Sequence, residues 1–155
     1  MARALELPRF SGTRRLDRLR PNEDLRAEQW LPVRSIDCPP WLKEVFDELN
    51  HLGTLGTNWD SYGSDAVSVA SIRSAKTLLS NLQLERLPKP HVSAVPGGGV
   101  GFHWRVAHCD LEIEVNGDSG MSFLKTDLAN PALNDEGEIA SFKGTQEVLD
   151  WLVAG

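Results

Sequence analysis

An α+β fold is what this sequence predicts, on three observations. Two apolar stripes at helical spacing occupy residues 40–52 and 68–82. From His91 the apolar period changes from helical to two. A last helical stripe follows at residues 145–153. Segregated runs of helix and strand imply helices packed on one face of an antiparallel sheet. The expected sheet is a β-meander of four to five strands, with two N-terminal helices and one C-terminal helix on that face.

Residues 1–37 lack a clean period and are punctuated by Pro8, Pro21 and Pro32. They read as an Arg-rich arm, flexible or laid on the body, and residues 38–155 as a single α+β domain. The segment Arg14-Arg15-Leu16-Asp17-Arg18-Leu19-Arg20 suits a helical turn too short to persist alone.

The first helix starts at Pro39-Pro40, because proline fits a first helical turn. Trp41, Leu42, Val45, Phe46, Leu49 and Leu52 form its apolar stripe. Gly53 is the expected left-handed cap. The second helix is capped by Ser68 and buries Ile72, Ala75, Leu78, Leu79 and Leu82. Pro88-Lys89-Pro90 then forces an extended chain.

Strands are expected at residues 91–95, 100–106, 110–115 and 121–125, with a short fifth at 138–142. If the chain reverses at His108-Cys109, Val106 meets Leu111, Trp104 meets Ile113 and Phe102 meets Val115. Arg105 then meets Glu112, and His103 meets Glu114. Both faces are self-consistent in that register, one apolar and one of complementary charge. Thr145 is the expected cap of the final helix, with Glu147 placed for its dipole. The expected core is Leu49, Ile72, Leu79, Phe102, Trp104, Ile113, Val115 and Phe123.

Charge is unevenly placed. Of the net −6, residues 1–40 carry eight Arg against six acids, or +2. The remaining residues carry eight Lys or Arg against sixteen acids, or −8. A body of that sign repels nucleic acid, whose binding rests on neutralised phosphates. It suits a basic partner, or simply keeps the domain soluble. No apolar run approaches the ~18 residues of a membrane span. Residues 1–8 lack the apolar core of a secretory signal, and the two cysteines form no disulfide framework. A cytoplasmic location is expected.

The chemistry-bearing motifs are sparse. Gly97-Gly98-Gly99-Val100-Gly101 opens a strand, whereas phosphate loops open a helix. It reads as a hairpin turn. His103, His108 and Cys109 lack the paired spacing of a zinc site. Cys109 with His108 lacks an evident third group for nucleophilic catalysis. Asp110, Glu112 and Glu114 read as the wet side of a strand. No catalytic residue, cofactor or metal is therefore expected.

The loop Asn58-Trp59-Asp60-Ser61-Tyr62-Gly63-Ser64-Asp65 is the exception. Turn chemistry is met by Gly, Asn, Asp and Ser alone, so Trp59 and Tyr62 need another reason. Either they plug the helix pair onto the sheet, or they form an aromatic hot spot for a protein partner.

This loop resembles a pattern found in a family of small bacterial proteins without established function. The likeness extends to Gly98-Gly99-Val100-Gly101-Phe102-His103-Trp104 and Leu111-Glu112-Ile113-Glu114-Val115. The family shares an Asn-Trp-Asp-Gly/Ser-Tyr-Gly-Ala/Ser loop before a helix. A Gly-Gly-hydrophobic strand ending in Trp follows, then Leu-Glu-Ile-Glu-hydrophobic. The resemblance spans residues 40–155 and implies no activity. Ser61 and Ser64 stand where the pattern more often has Gly and Ala.

The expected function is a small non-enzymatic protein-binding module. Its role would be the acidic partner or inhibitor of another bacterial protein, in the manner of an antitoxin or a phage anti-defence component. The candidate partner-binding residues are Asn58, Trp59, Asp60 and Tyr62 in the loop, and Arg14, Arg15, Arg18 and Arg20 in the arm. The alternatives are a nucleic-acid-associated protein using the Arg cluster, and an enzyme of unrecognised type.

Overall fold

The computed structural model of the protein describes residues 38–155, and the Arg-rich arm lies outside them. Helices α1 (Leu42–Leu52) and α2 (Val69–Ser80) precede a five-stranded sheet. Its strands are β1 (His91–Val95), β2 (Gly99–Val106), β3 (Cys109–Val115), β4 (Met121–Asp127) and β5 (Asp135–Ile139). Helix α3 (Phe142–Ala154) closes the fold. The strands lie in sequence order and every neighbouring pair is antiparallel, as a meander requires.

The helices pack on one face of the sheet. Val100, Phe102, Trp104, Leu111, Ile113 and Val115 point toward them and are at most 1% exposed. Val45 and Leu49 of α1, Ala75, Leu78 and Leu79 of α2, and Leu149 and Leu152 of α3 meet this face in one core. Ile72 and Phe123 are only partly buried at its margin. Two tryptophans anchor the linker before β1. Trp41 donates its indole N–H to the Leu87 carbonyl, and Trp104 donates to that of Pro88, each at 3.1 Å. The linker thus satisfies the indole donors of buried Trp104 and partly buried Trp41, which would otherwise be costly to leave unpaired.

Local chemistry explains most boundaries. Ser68 caps α2 by accepting from the Ser71 N–H at 2.9 Å. The helix stops at Ser80, before the expected residue 82. There Asn81 turns its side-chain amide back onto the Thr77 carbonyl. Gly53 is not a left-handed cap: its φ is −65°, and the chain runs on through turns at Thr54 and Leu55. The final helix begins earlier than expected. Ser141, not Thr145, is the cap, accepting from the Gly144 N–H. Thr145 is buried and donates to the Ser141 carbonyl. Phe142 therefore starts the helix, and the fifth strand moves back to Asp135–Ile139. Glu147 lies beyond the first turn and faces Lys143 at 3.8 Å.

The β2–β3 register differs from expectation by two residues. The chain reverses at Ala107-His108, with Ala107 at φ +52°. Val106 therefore lies opposite Cys109, Trp104 opposite Leu111, and Arg105 opposite Asp110. A two-residue slip preserves the alternation of faces, so the apolar face stays apolar. What changes is which charges meet.

Candidate functional site

The loop before α2 is held by its own polar side chains. Asn58 accepts the Gly63 N–H at 2.8 Å, and its N–H donates to the Ser64 carbonyl at 2.7 Å. One Asp60 carboxylate oxygen accepts the N–H groups of Tyr62 and Ser64. The other accepts the Ser64 hydroxyl at 2.6 Å. That hydroxyl, helped by the Tyr62 N–H, holds the Asp60 carboxyl below the usual carboxylate range. Three residues adopt left-handed backbone: Asn58 at φ +61°, Ser61 at +64° and Gly63 at +89°. Glycine is free of Cβ strain there, so Ser61 carries a backbone strain that a glycine would not.

This geometry sorts the four loop candidates. Asn58 and Asp60 use their side chains in hydrogen bonds within the loop and build it. Trp59 is partly buried and donates its indole N–H to the Asp65 carbonyl at 3.1 Å. It is not among the side chains packed against the core. Tyr62 is 93% exposed. The aromatics therefore do not plug the helices onto the sheet. The loop presents Tyr62 to solvent from a pinned backbone.

The glycine-rich turn between β1 and β2 has a structural use. The Gly98 carbonyl accepts the Ser68 N–H at 2.9 Å. Gly98 has φ +84°, and a Cβ there would come within 3.0 Å of the Ala66 carbonyl oxygen. The turn ties the sheet to the start of α2, which accords with a hairpin reading.

The second candidate region is the sheet face turned away from the helices. Two rows of side chains run across it. One is His91, His103, Glu112, Leu124 and Glu136; the other is Ser93, Gly101, Glu114, Ser122 and Glu138. The two-residue register shift decides its charge. Asp110, not Glu112, takes the Arg105 guanidinium, with bonds of 2.6 and 2.9 Å. The same carboxylate takes His103 at 3.2 Å, displacing the expected His103–Glu114 pair. Arg105, and then His103, hold the Asp110 carboxyl below the usual range. Among the described residues, no ion pair reaches Glu112, Glu114, Glu136 or Glu138. Hollows of about 440 and 210 Å³ lie on either side of the Glu112–Glu114 ridge. Small side chains at Gly101, Ser93 and Ser122 leave that space open.

A third cluster was not visible as a motif. His108, Cys109 and Asp127 bring an imidazole nitrogen, a thiol and a carboxylate oxygen within 4.8 Å of one another. Cys109 and Asp127 are register partners on β3 and β4, and His108 stands in the adjoining turn. The sequence reasoning missed Asp127 because it followed only one hairpin register. Extending the turn at residues 116–120 into β4 places 127 opposite 109. Cys109 is fully buried, and burial pushes its thiol up, away from the thiolate a nucleophile needs.

Arg14, Arg15, Arg18 and Arg20 lie outside the described residues. Among those described, no helix is long and apolar enough to cross a membrane. Comparison with protein families, with curated proteins and with solved structures finds no match for this chain.

Proposed function

We propose that the chain is a non-enzymatic protein-binding module whose open sheet face receives a basic surface of another protein, as an acidic partner or inhibitor. One observation carries this reading: Glu112, Glu114, Glu136 and Glu138 share that face with no cation paired to them among the described residues. Like charges on one face repel, so a partner bringing Lys or Arg relieves a cost the free protein bears. The hollows beside the ridge admit side chains rather than a flat surface. Tyr62 adds an aromatic contact on a backbone already ordered, so little entropy is lost when it is used.

The test is binding measured with charge-neutralised variants. Partners captured from the source cells are compared between the native chain and the Glu112→Gln/Glu114→Gln double variant, at low and high salt. The expected partner is basic, binds more weakly as salt rises, and is lost from the double variant. A partner captured equally by both proteins, with no salt dependence, would refute the acidic-face assignment.

A further inference from the structure

The geometry points to a binding site for one zinc-class divalent ion at His108, Cys109 and Asp127. These donors lie where the β2–β3 turn meets the end of β4. Nitrogen, sulfur and oxygen donors of this kind are the ones such ions select. The three donor atoms lie within 4.8 Å of one another, and the His108 Nε2 to Asp127 Oδ1 distance is 3.6 Å. Ligands about 2.0–2.3 Å from a tetrahedral metal stand roughly 3.3–3.8 Å apart. The set must therefore close by no more than about 1 Å at its widest pair.

The carboxylate supports this independently of spacing. The Asp127 side chain is only 5% exposed, yet no Lys or Arg among the described residues pairs with it. Its Oδ1 accepts the N–H groups of Ala129 and Asn130, each at 2.8 Å. No hydrogen bond to Oδ2 is found among the described residues. With the His108 imidazole as its nearest basic group among the described residues, the carboxylate is open to a metal ion, which would supply positive charge beside it. On binding, the Cys109 thiol gives its proton to solvent, and the sulfur, the imidazole and the Asp127 carboxylate replace metal-bound waters. With three protein ligands, water completes the fourth position.

Cobalt(II) titration of the untagged full chain tests this. A Cys38→Ala background leaves Cys109 as the sole thiol. The expected result is a cobalt–thiolate charge-transfer band saturating at one equivalent, with the visible bands of tetrahedral cobalt. Zinc should displace cobalt and abolish the signal. His108→Ala lies in a half-exposed turn and should leave the fold intact by circular dichroism. It should weaken binding more than the ~10–100-fold typical of losing an outer-sphere partner. The added Cys109→Ala change should remove the thiolate band. No saturable cobalt binding, cobalt binding without a thiolate band, or undiminished affinity in His108→Ala would each overturn the assignment.

Discussion

The protein uses its aromatic residues in two opposite ways. On β2, Phe102 and Trp104 are at most 1% exposed, with ring centroids 5.8 Å apart. In the loop before α2, Tyr62 is almost wholly exposed and Trp59 stands outside the core contacts. On the strand, placement follows from alternation: every second residue faces the helices. In the loop it follows from short-range hydrogen bonds that turn the backbone left-handed at Asn58, Ser61 and Gly63. Aromatics on the strand hold the fold together. The loop is held by Asn58, Asp60 and Ser64, which leaves Tyr62 free for contact.

Four substitutions and one titration can break or sharpen that contrast. Trp104→Ala should have the largest effect. A cavity of indole size costs about 3–5 kcal/mol, and the hydrogen bond to Pro88 goes with it. Urea denaturation would register this as a large part of the stability of a domain this size. Gly63→Ala comes next. A side chain at φ +89° should cost about 1–2 kcal/mol, read in the same assay. An unchanged midpoint would mean the loop backbone is not held as described.

Acidification should act locally. The Asp60 carboxyl is held below its ordinary value chiefly by Ser64, so its contribution is present above about pH 3.9. That contribution is lost as pH falls through the depressed folded value. Amide NMR signals of Tyr62 and Ser64 should shift in that acid window while the β2 signals hold. Ser61→Gly should be mildly stabilising. It relieves about 1 kcal/mol of left-handed strain, but a freer unfolded chain offsets about 0.4–1 of that. Tyr62→Ala should change stability least, by no more than about 0.5 kcal/mol, yet weaken capture of the partner. If Tyr62→Ala destabilised the domain as Trp104→Ala does, the contrast would collapse.

Alternation along Val100–Val106 and Leu111–Val115, together with the stripes of the first two helices, determined which residues face the core. A period of two is insensitive to a slip of two, so it places Trp104 and Ile113 in the core in either register. Helix ends were legible where a hydroxyl stood directly before an apolar stripe, as at Ser68. They were obscured where two hydroxyls competed, as at Ser141 and Thr145. The turn itself was not legible. Ala107 adopts a positive φ without the Asn or Gly that usually marks a tight hairpin, so nothing local announced a two-residue reversal.

Charge pairing on the open sheet face depended on that turn. Moving it by one position gave Arg105 to Asp110 and left Glu112 and Glu114 without a cation among the described residues. It also put Cys109 directly beside the reversal, at the end of β3 and next to His108. There the β3–β4 register brings Asp127 against it. Burial is a property of a residue's own pattern and its chemistry is local. Pairing is a property of two segments at once, and for these it was settled only when three strands aligned.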